Sequence, residues 1–383
     1  MDSSDLTPSR TTLPELAALF ARLGTTAFGG PAAHIALMHD EVVRRRRWLT
    51  EEHFLDLLSA TNLIPGPNST ELAIHIGWQR RGWAGLLVAG VAFIVPAMAI
   101  TGGFAWAYVR FGAVPAVGWL LYGVKPVILG VVVQAIAGLT PKAARTTGLR
   151  VLAGLAALFV ALGVHELVVL LAAGASALAL ARIPQKPTDG AASLILPLAP
   201  AAAVGVAGAV TLPALFWVFL KTGAVLFGSG YVLLAFLRAD LVERLGWLTE
   251  AQLLDAVAVG QITPGPVFTT ATFVGYLLAG VSGALVATLG IFLPAFVFVA
   301  VSGPLVPRLR ASPGAAAFLD GVNAASLALM AVVTVQLGRA ALTDIPTVCL
   351  GVVGAFLLLW FRLNSTWLIL GGAAAGWALH ALG

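Results

Sequence analysis

Cysteine is almost missing from this chain: Cys349 stands alone among 383 residues. No intrachain disulfide can form, and no Cys/His metal cluster is spelled out. Charge is nearly as scarce, with 10% of residues charged against 59% hydrophobic and a mean hydropathy of +0.96. Those proportions exclude an ordinary soluble domain. No stretch alternates polar and apolar residues over strand length, so helices rather than a barrel must do any spanning. The polar start Met1–Arg10 lacks the basic flank and the small-residue cleavage site of a secretory signal peptide, and no removal is expected. Neither acidic pairs nor histidine clusters recur at any repeated motif. Transfer of phosphoryl or lipid-phosphate groups normally needs a metal-binding acidic cluster or an activated nucleophile. The chain is therefore read as no enzyme, with no catalytic residue, no metal and no cofactor.

What is present is apolar length. The runs 84–107, 115–138 and 282–303 are each long enough to cross about 30 Å of hydrocarbon as a helix. The expected fold is an all-α polytopic membrane protein of the cytoplasmic (inner) membrane. The net charge of +5 gathers in loops such as Arg44–Arg47 and Arg80–Arg81, without interleaved aromatics. That pattern reads as membrane topology, with the lipid bilayer as partner and no nucleic acid.

The chain also resembles itself. Trp48-Leu49-Thr50-Glu51 returns as Trp247-Leu248-Thr249-Glu250, and Pro65-Gly66-Pro67 as Pro264-Gly265-Pro266, both at an offset of 199 residues. Upstream, Phe28-Gly29-Gly30 matches Phe227-Gly228-Ser229 and Arg22 matches Lys221; downstream, a one-residue slip pairs Pro96 with Pro294 and Lys125 with Asn323. We read a first repeat over 1–186, a linker with a connecting span over 187–212, and a second repeat over 213–383. The opening apolar segments of each repeat are too short to span and end at glycine or proline. They read as half-helices, with Pro31 and Pro67 able to open the next helix. Thr50 and Thr249 read as N-caps, the latter in a capping box with Gln252. Counting spans places the basic loops of the first repeat on the cytoplasmic side and turns the second repeat over, so the repeats are read as inverted in topology, with broken, re-entrant half-helices.

Broken helices inside a bilayer survive only where protein or a water-filled cavity satisfies the freed backbone. Helix N-termini aimed at one point form an anion pocket. The candidate binding residues are Gly29, Gly30, Pro31, Pro65, Gly66, Pro67, Asn68, Ser69 and Thr70 in the first repeat. Their counterparts are Ser229, Gly230, Pro264, Gly265, Pro266, Thr269 and Thr270. For the hydroxyls the alternative is local backbone satisfaction. Arg22, Lys221 and Lys125 are basic residues inside apolar segments, where an unpaired charge is costly; Lys125 in particular has no acidic neighbour on either adjacent turn and is expected to face the anion path. Snorkelling is the alternative for all three. Glu71, His75 and His34 are candidates for proton coupling. Asp56 and Asp255 recur at one repeat position and are assigned a helix-to-helix hydrogen bond. The small-residue run Gly371–Gly376 would allow close helix packing, including that of a homodimer.

The set Phe28-Gly29-Gly30-Pro31, Trp48-Leu49-Thr50 and Pro65-Gly66-Pro67, with its second copy, resembles the chromate ion transporter family in its long two-domain form. The resemblance implies chromate efflux driven by the proton-motive force, with sulfate, another tetrahedral dianion, as competitor. Uptake of an oxyanion and an anion channel are the other readings. The second copy departs at Ser229-Gly230 and Val267-Phe268, which implies two unequal half-sites.

Overall fold

The computed structural model describes residues 11–28, 30–112, 114–182, 209–227, 232–310, 312–361, 363 and 365–381. Among them are fourteen α-helices and no strand. The linker reading over 187–208 lies outside the described residues. The first repeat holds α1 (Leu13–Thr26), α2 (Gly30–His39), α3 (Glu51–Thr61), α4 (Asn68–Phe111), α5 (Pro115–Ala143), α6 (Thr147–Ala161) and α7 (Glu166–Arg182). The second holds α8 (Leu212–Val225), α9 (Leu233–Leu237), α10 (Glu250–Ile262), α11 (Thr270–Arg310), α12 (Pro313–Ala341), α13 (Ile345–Phe361) and α14 (Ser365–Ala381). A π-helical segment follows α2 at Asp40–Arg45 and α9 at Arg238–Arg244.

Local chemistry sets these boundaries twice over. Thr12 caps α1 through Glu15 N and Thr211 caps α8 through Ala214 N, each with a proline in the first turn. Both helices have 14 residues, about 21 Å of rise, short of a full crossing. Thr50 caps α3, and Thr249 with Gln252 closes the expected capping box on α10. α4 and α11 are each two arms, not one rod. In α4 the turn falls at Arg81 and at Gly82, whose φ of 57° and ψ of −141° suit glycine; in α11 it falls at Ala279 and at Gly280, with φ 62° and ψ −150°. The arms fold back so tightly that a Cβ on Gly77 would sit 2.2 Å from the Gly85 carbonyl oxygen, and one on Gly275 2.3 Å from that of Gly283. The arm 68–80 is thus a re-entrant half-helix, and 83–111 is the span that follows it.

The repeats are inverted with respect to each other. Leu86 and Trp78, near the turn of the α4 hairpin, cluster with Val299, Phe298 and Ala300, far along the second arm of α11. The two long arms therefore run antiparallel, and the twofold relating them lies across the helices. Cap positions agree. At one face Arg80, beside the α4 turn, donates to the Trp48 carbonyl just before α3. Asp255, one turn into α10, instead accepts from Tyr108 near the far end of α4. The α3 and α10 starts lie at opposite faces.

The C-terminal hairpins are exchanged between repeats: α5 packs on α13 and α14, and α12 on α6 and α7. A Cβ on Gly123 would meet the Gly372 carbonyl oxygen at 2.0 Å, and the equivalent on Gly321 would meet that of Ala173 at 2.3 Å. Small residues let these backbones touch. The Gly371–Gly376 run is used in this way, since Gly372 and Gly376 both press on α5 of the same chain. Intrachain packing accounts for the feature that suggested a homodimer.

Candidate functional site

The two Pro-Gly-Pro breaks are each fastened to the opposite repeat. Gly66 N–H donates to the Leu226 carbonyl at 2.8 Å, and Gly265 N–H to the Ala27 carbonyl at 3.0 Å. Ala27 and Leu226 are themselves equivalent, as the first residues past α1 and α8. Four interruptions of the helical ladder thus satisfy one another, which is how irregular backbone survives at this depth. His34, buried at 1% exposure, adds a further tie. Its Nε2 donates to the Ala27 carbonyl at 3.0 Å, so its Nδ1 is left to accept from the Ser69 hydroxyl at 3.3 Å.

Beside the breaks lies a cavity of about 570 Å³. At about 30 Å³ per liquid water it has room for an anion with part of its hydration shell. Three helix starts reach it: Pro31 in α2, Pro67-Asn68-Ser69 at α4, and Val267-Phe268 in the 3₁₀ turn, Val267–Thr269, that leads into α11. Asn62 and the α12 residues Asn323 and Ser326 add polar atoms to its wall, and Asn68 Nδ2 donates to Asn62 Oδ1 at 2.8 Å. Lys142, exposed near the end of α5, supplies a cation. Because α5 crosses from the Tyr108 face to the Arg80 face, the Lys142 end of the cavity lies toward the basic face.

Several sequence-predicted residues thus come together: Pro31, Pro67, Asn68 and Ser69 line one cavity, while Gly30, Pro65, Gly66, Pro264, Gly265 and Pro266 form the breaks behind it. Gly29, Ser229 and Gly230 lie outside the described residues. Others are placed differently. Thr269 Oγ1 donates to the Pro266 carbonyl at 2.8 Å and Thr270 Oγ1 to the Val267 carbonyl at 2.8 Å, both fully turned inward, so these hydroxyls serve their own backbone while Val267 and Phe268 face the cavity. Arg22 and Lys221 are not free cations. Arg22 pairs with Glu41 at 2.7 Å, and Lys221 pairs with Asp240. The same carboxylates bind Arg45 at 3.1 Å and Arg244 at 2.5 Å. Glu41 and Asp240 stand 199 residues apart, so the self-comparison that found the bases also contains their partners.

Lys125 is the sharpest correction. Its ammonium lies 3.2 Å from Asp255 on α10, whose other oxygen accepts from Tyr108 at 2.8 Å. A partner remote in sequence replaces the solvent cage that its solitary position in the span suggested. Asp255 holds a helix-to-helix bond to α4 and α5; its equivalent Asp56 lies at an exposed position.

Along the first arm of α4, polar atoms are buried without hydrogen-bond partners among the described residues: Thr70 Oγ1, both carboxyl oxygens of Glu71, and His75 Nε2. Glu71 has no exposed surface and lies against the break, its Oε1 only 2.3 Å from where a Cβ on Gly66 would stand. Glu71 and His75 are one turn apart on one face.

The model of the family described as chromate transporter matches residues 14–178 and again residues 213–377. The chain is 34% identical over 368 residues to a chromate transport protein of Cupriavidus metallidurans, covering 95% of this chain and 92% of that one. It is 31% identical over 401 aligned positions to a chromate transport protein of Pseudomonas aeruginosa, covering 98% and 94%. No solved structure matches the chain. Two family segments, one on each structural repeat, and full-length relatives above 30% identity place this multi-pass membrane protein in the chromate transporter family.

Proposed function

We propose that the chain exports chromate from the cytoplasm by proton-coupled alternating access, with sulfate as a competing substrate, across a bacterial inner membrane. The observation that carries this reading is the cavity in which three helix starts and the Asn68 amide converge. Unpaired N–H groups and a half-positive dipole end favour an oxyanion there, and neutral donors hold a dianion without trapping it. The relatives' names supply the anion's identity. The cavity points toward the face that bears Arg44–Arg47, Arg80, Arg81 and Lys142, which the positive-inside rule makes cytoplasmic. An anion leaving the cell would enter from that side.

Transport fits better than a channel, because the opposite half of the path is shut by the Lys125–Asp255–Tyr108 contact. Inverted repeats around a central site are the architecture of alternating access. Glu71 is the proton carrier in this reading. It is sealed from water with neither oxygen partnered among the described residues, a place where a bare carboxylate is costly, and it adjoins the break that the anion approaches. The test is uptake of labelled chromate and sulfate into inside-out membrane vesicles. Accumulation driven by an acidic lumen and abolished by a protonophore supports export. Accumulation only in right-side-out vesicles supports uptake instead, and gradient-independent equilibration supports a channel.

A further inference from the structure

The inverted repeats allow the open half of the molecule to be compared, position by position, with the closed half. The wall of the open cavity contains Asn62, Ile64, Asn323, Ser326, Leu327 and Leu139. Their repeat equivalents are Gln261, Thr263, Lys125, Ile128, Leu129 and Leu337. Gln261, Thr263, Ile128, Leu129 and Leu337 are all buried, between 0% and 6% exposed. Lys125 is tied to Asp255. The same set of positions therefore surrounds a cavity on one side and a packed seam on the other.

Two side-chain bonds close that seam. One is Lys125–Asp255; at the equivalent positions stand Asn323, on the cavity wall, and exposed Asp56. The other runs from Arg238 to Gln336 on α12, at 2.7 Å, where the open side has His39 and Gly138. Glycine offers no side chain to bridge.

We infer that the seam lined by Lys125, Ile128, Leu129, Gln261, Thr263 and Leu337 opens as a second anion cavity on the opposite face, with Lys125 as its cation and Asp255 as the internal anion that occupies Lys125 while it is closed. This deepens the alternating-access reading and rests on it. In an inverted-repeat protein each repeat adopts in one state the conformation that the other adopts in the next. The open side of this structure then serves as the template for the closed side. A dianion reaching the seam exchanges with Asp255 for Lys125. The swap keeps the ammonium paired in both states, as its place in a span requires.

The test uses thiol accessibility on the full chain, with the exposed Cys349 replaced by serine. Leu139→Cys reports the cavity already open and Leu337→Cys the proposed one. A membrane-impermeant maleimide is applied from either face of sealed vesicles. Leu139→Cys should react only from the Arg80 face, and Leu337→Cys only from the opposite face, slowly. Adding Asp255→Asn or Lys125→Gln, which part the pair from its two sides, should raise the Leu337→Cys rate by about tenfold, as expected for a minor state released from one bias. Whichever of the two pair variants folds serves. If Leu139→Cys reacts as stated while Leu337→Cys stays inert from that face in every background, the second cavity is refuted and the first stands. If Leu139→Cys is itself inert from the Arg80 face, the open cavity falls and the inference falls with it.

Discussion

Replacing Glu71 with glutamine should uncouple chromate movement from the proton gradient without unfolding the protein. Neither carboxyl oxygen has a hydrogen-bond partner among the described residues, so the substitution removes no bond there. Glutamine also keeps the side chain's length and shape against Gly66, where Oε1 already fills the space a Cβ would need. What it removes is the ability to bind and release a proton. With the membrane potential clamped, one proton moving down a gradient of one pH unit supplies about 1.4 kcal/mol, enough for about a tenfold chromate gradient. Proteoliposomes with an acidic lumen should therefore accumulate chromate about tenfold per pH unit through the parent protein. Glu71→Gln should reach only equal concentrations, while still exchanging labelled for unlabelled chromate. Retention of the tenfold gradient in the variant would show that the coupling proton travels elsewhere.

Asn68→Ala removes a donor from the cavity wall and should weaken chromate binding by about 10- to 100-fold, the range for a hydrogen bond to a charged group of about 1.5–3 kcal/mol. Thr269→Val should leave that affinity at the parent level, because its hydroxyl is spent on the Pro266 carbonyl; titration calorimetry on both variants checks the contrast. Lys221→Met leaves Asp240, which is 1% exposed, with Arg244 as its remaining ion-pair partner. It should lower thermal stability by about 3–5 kcal/mol, with Asp240→Asn in the same chain recovering part of it. Gly265→Ala should abolish the folded protein on size-exclusion chromatography, since its Cβ would stand 2.5 Å from Ala97 Cβ at a φ of +87°.

Much of this architecture was legible because it is written twice. The offset of 199 residues ties Thr50 to Thr249 and Gly66 to Gly265, and local rules then make each pair a cap or a break. Folding back at Gly82 and Gly280 follows from backbone geometry that only the structure displays. Two residues of the cavity's lining, Asn68 and Ser69, stood out in the sequence because a helix start and polar side chains coincide there. The site was illegible at Lys142, which sequence places among ordinary loop charges and only tertiary packing brings to the cavity. The partners of the bases were hidden for a related reason. Lys125 finds Asp255 across 130 positions of chain, and a scan of adjacent turns cannot see that distance. Thr269 and Thr270 failed because a hydroxyl at a helix start serves either a ligand or its own backbone, and residue type does not choose between them.

Chromium scatters anomalously, so crystals of the protein grown with chromate would locate the anion directly. The account predicts a single strong chromium peak in the cavity between Pro31, Pro67 and Val267, within hydrogen-bond reach of Asn68. A peak at the arginine clusters alone, with this cavity empty, would contradict it.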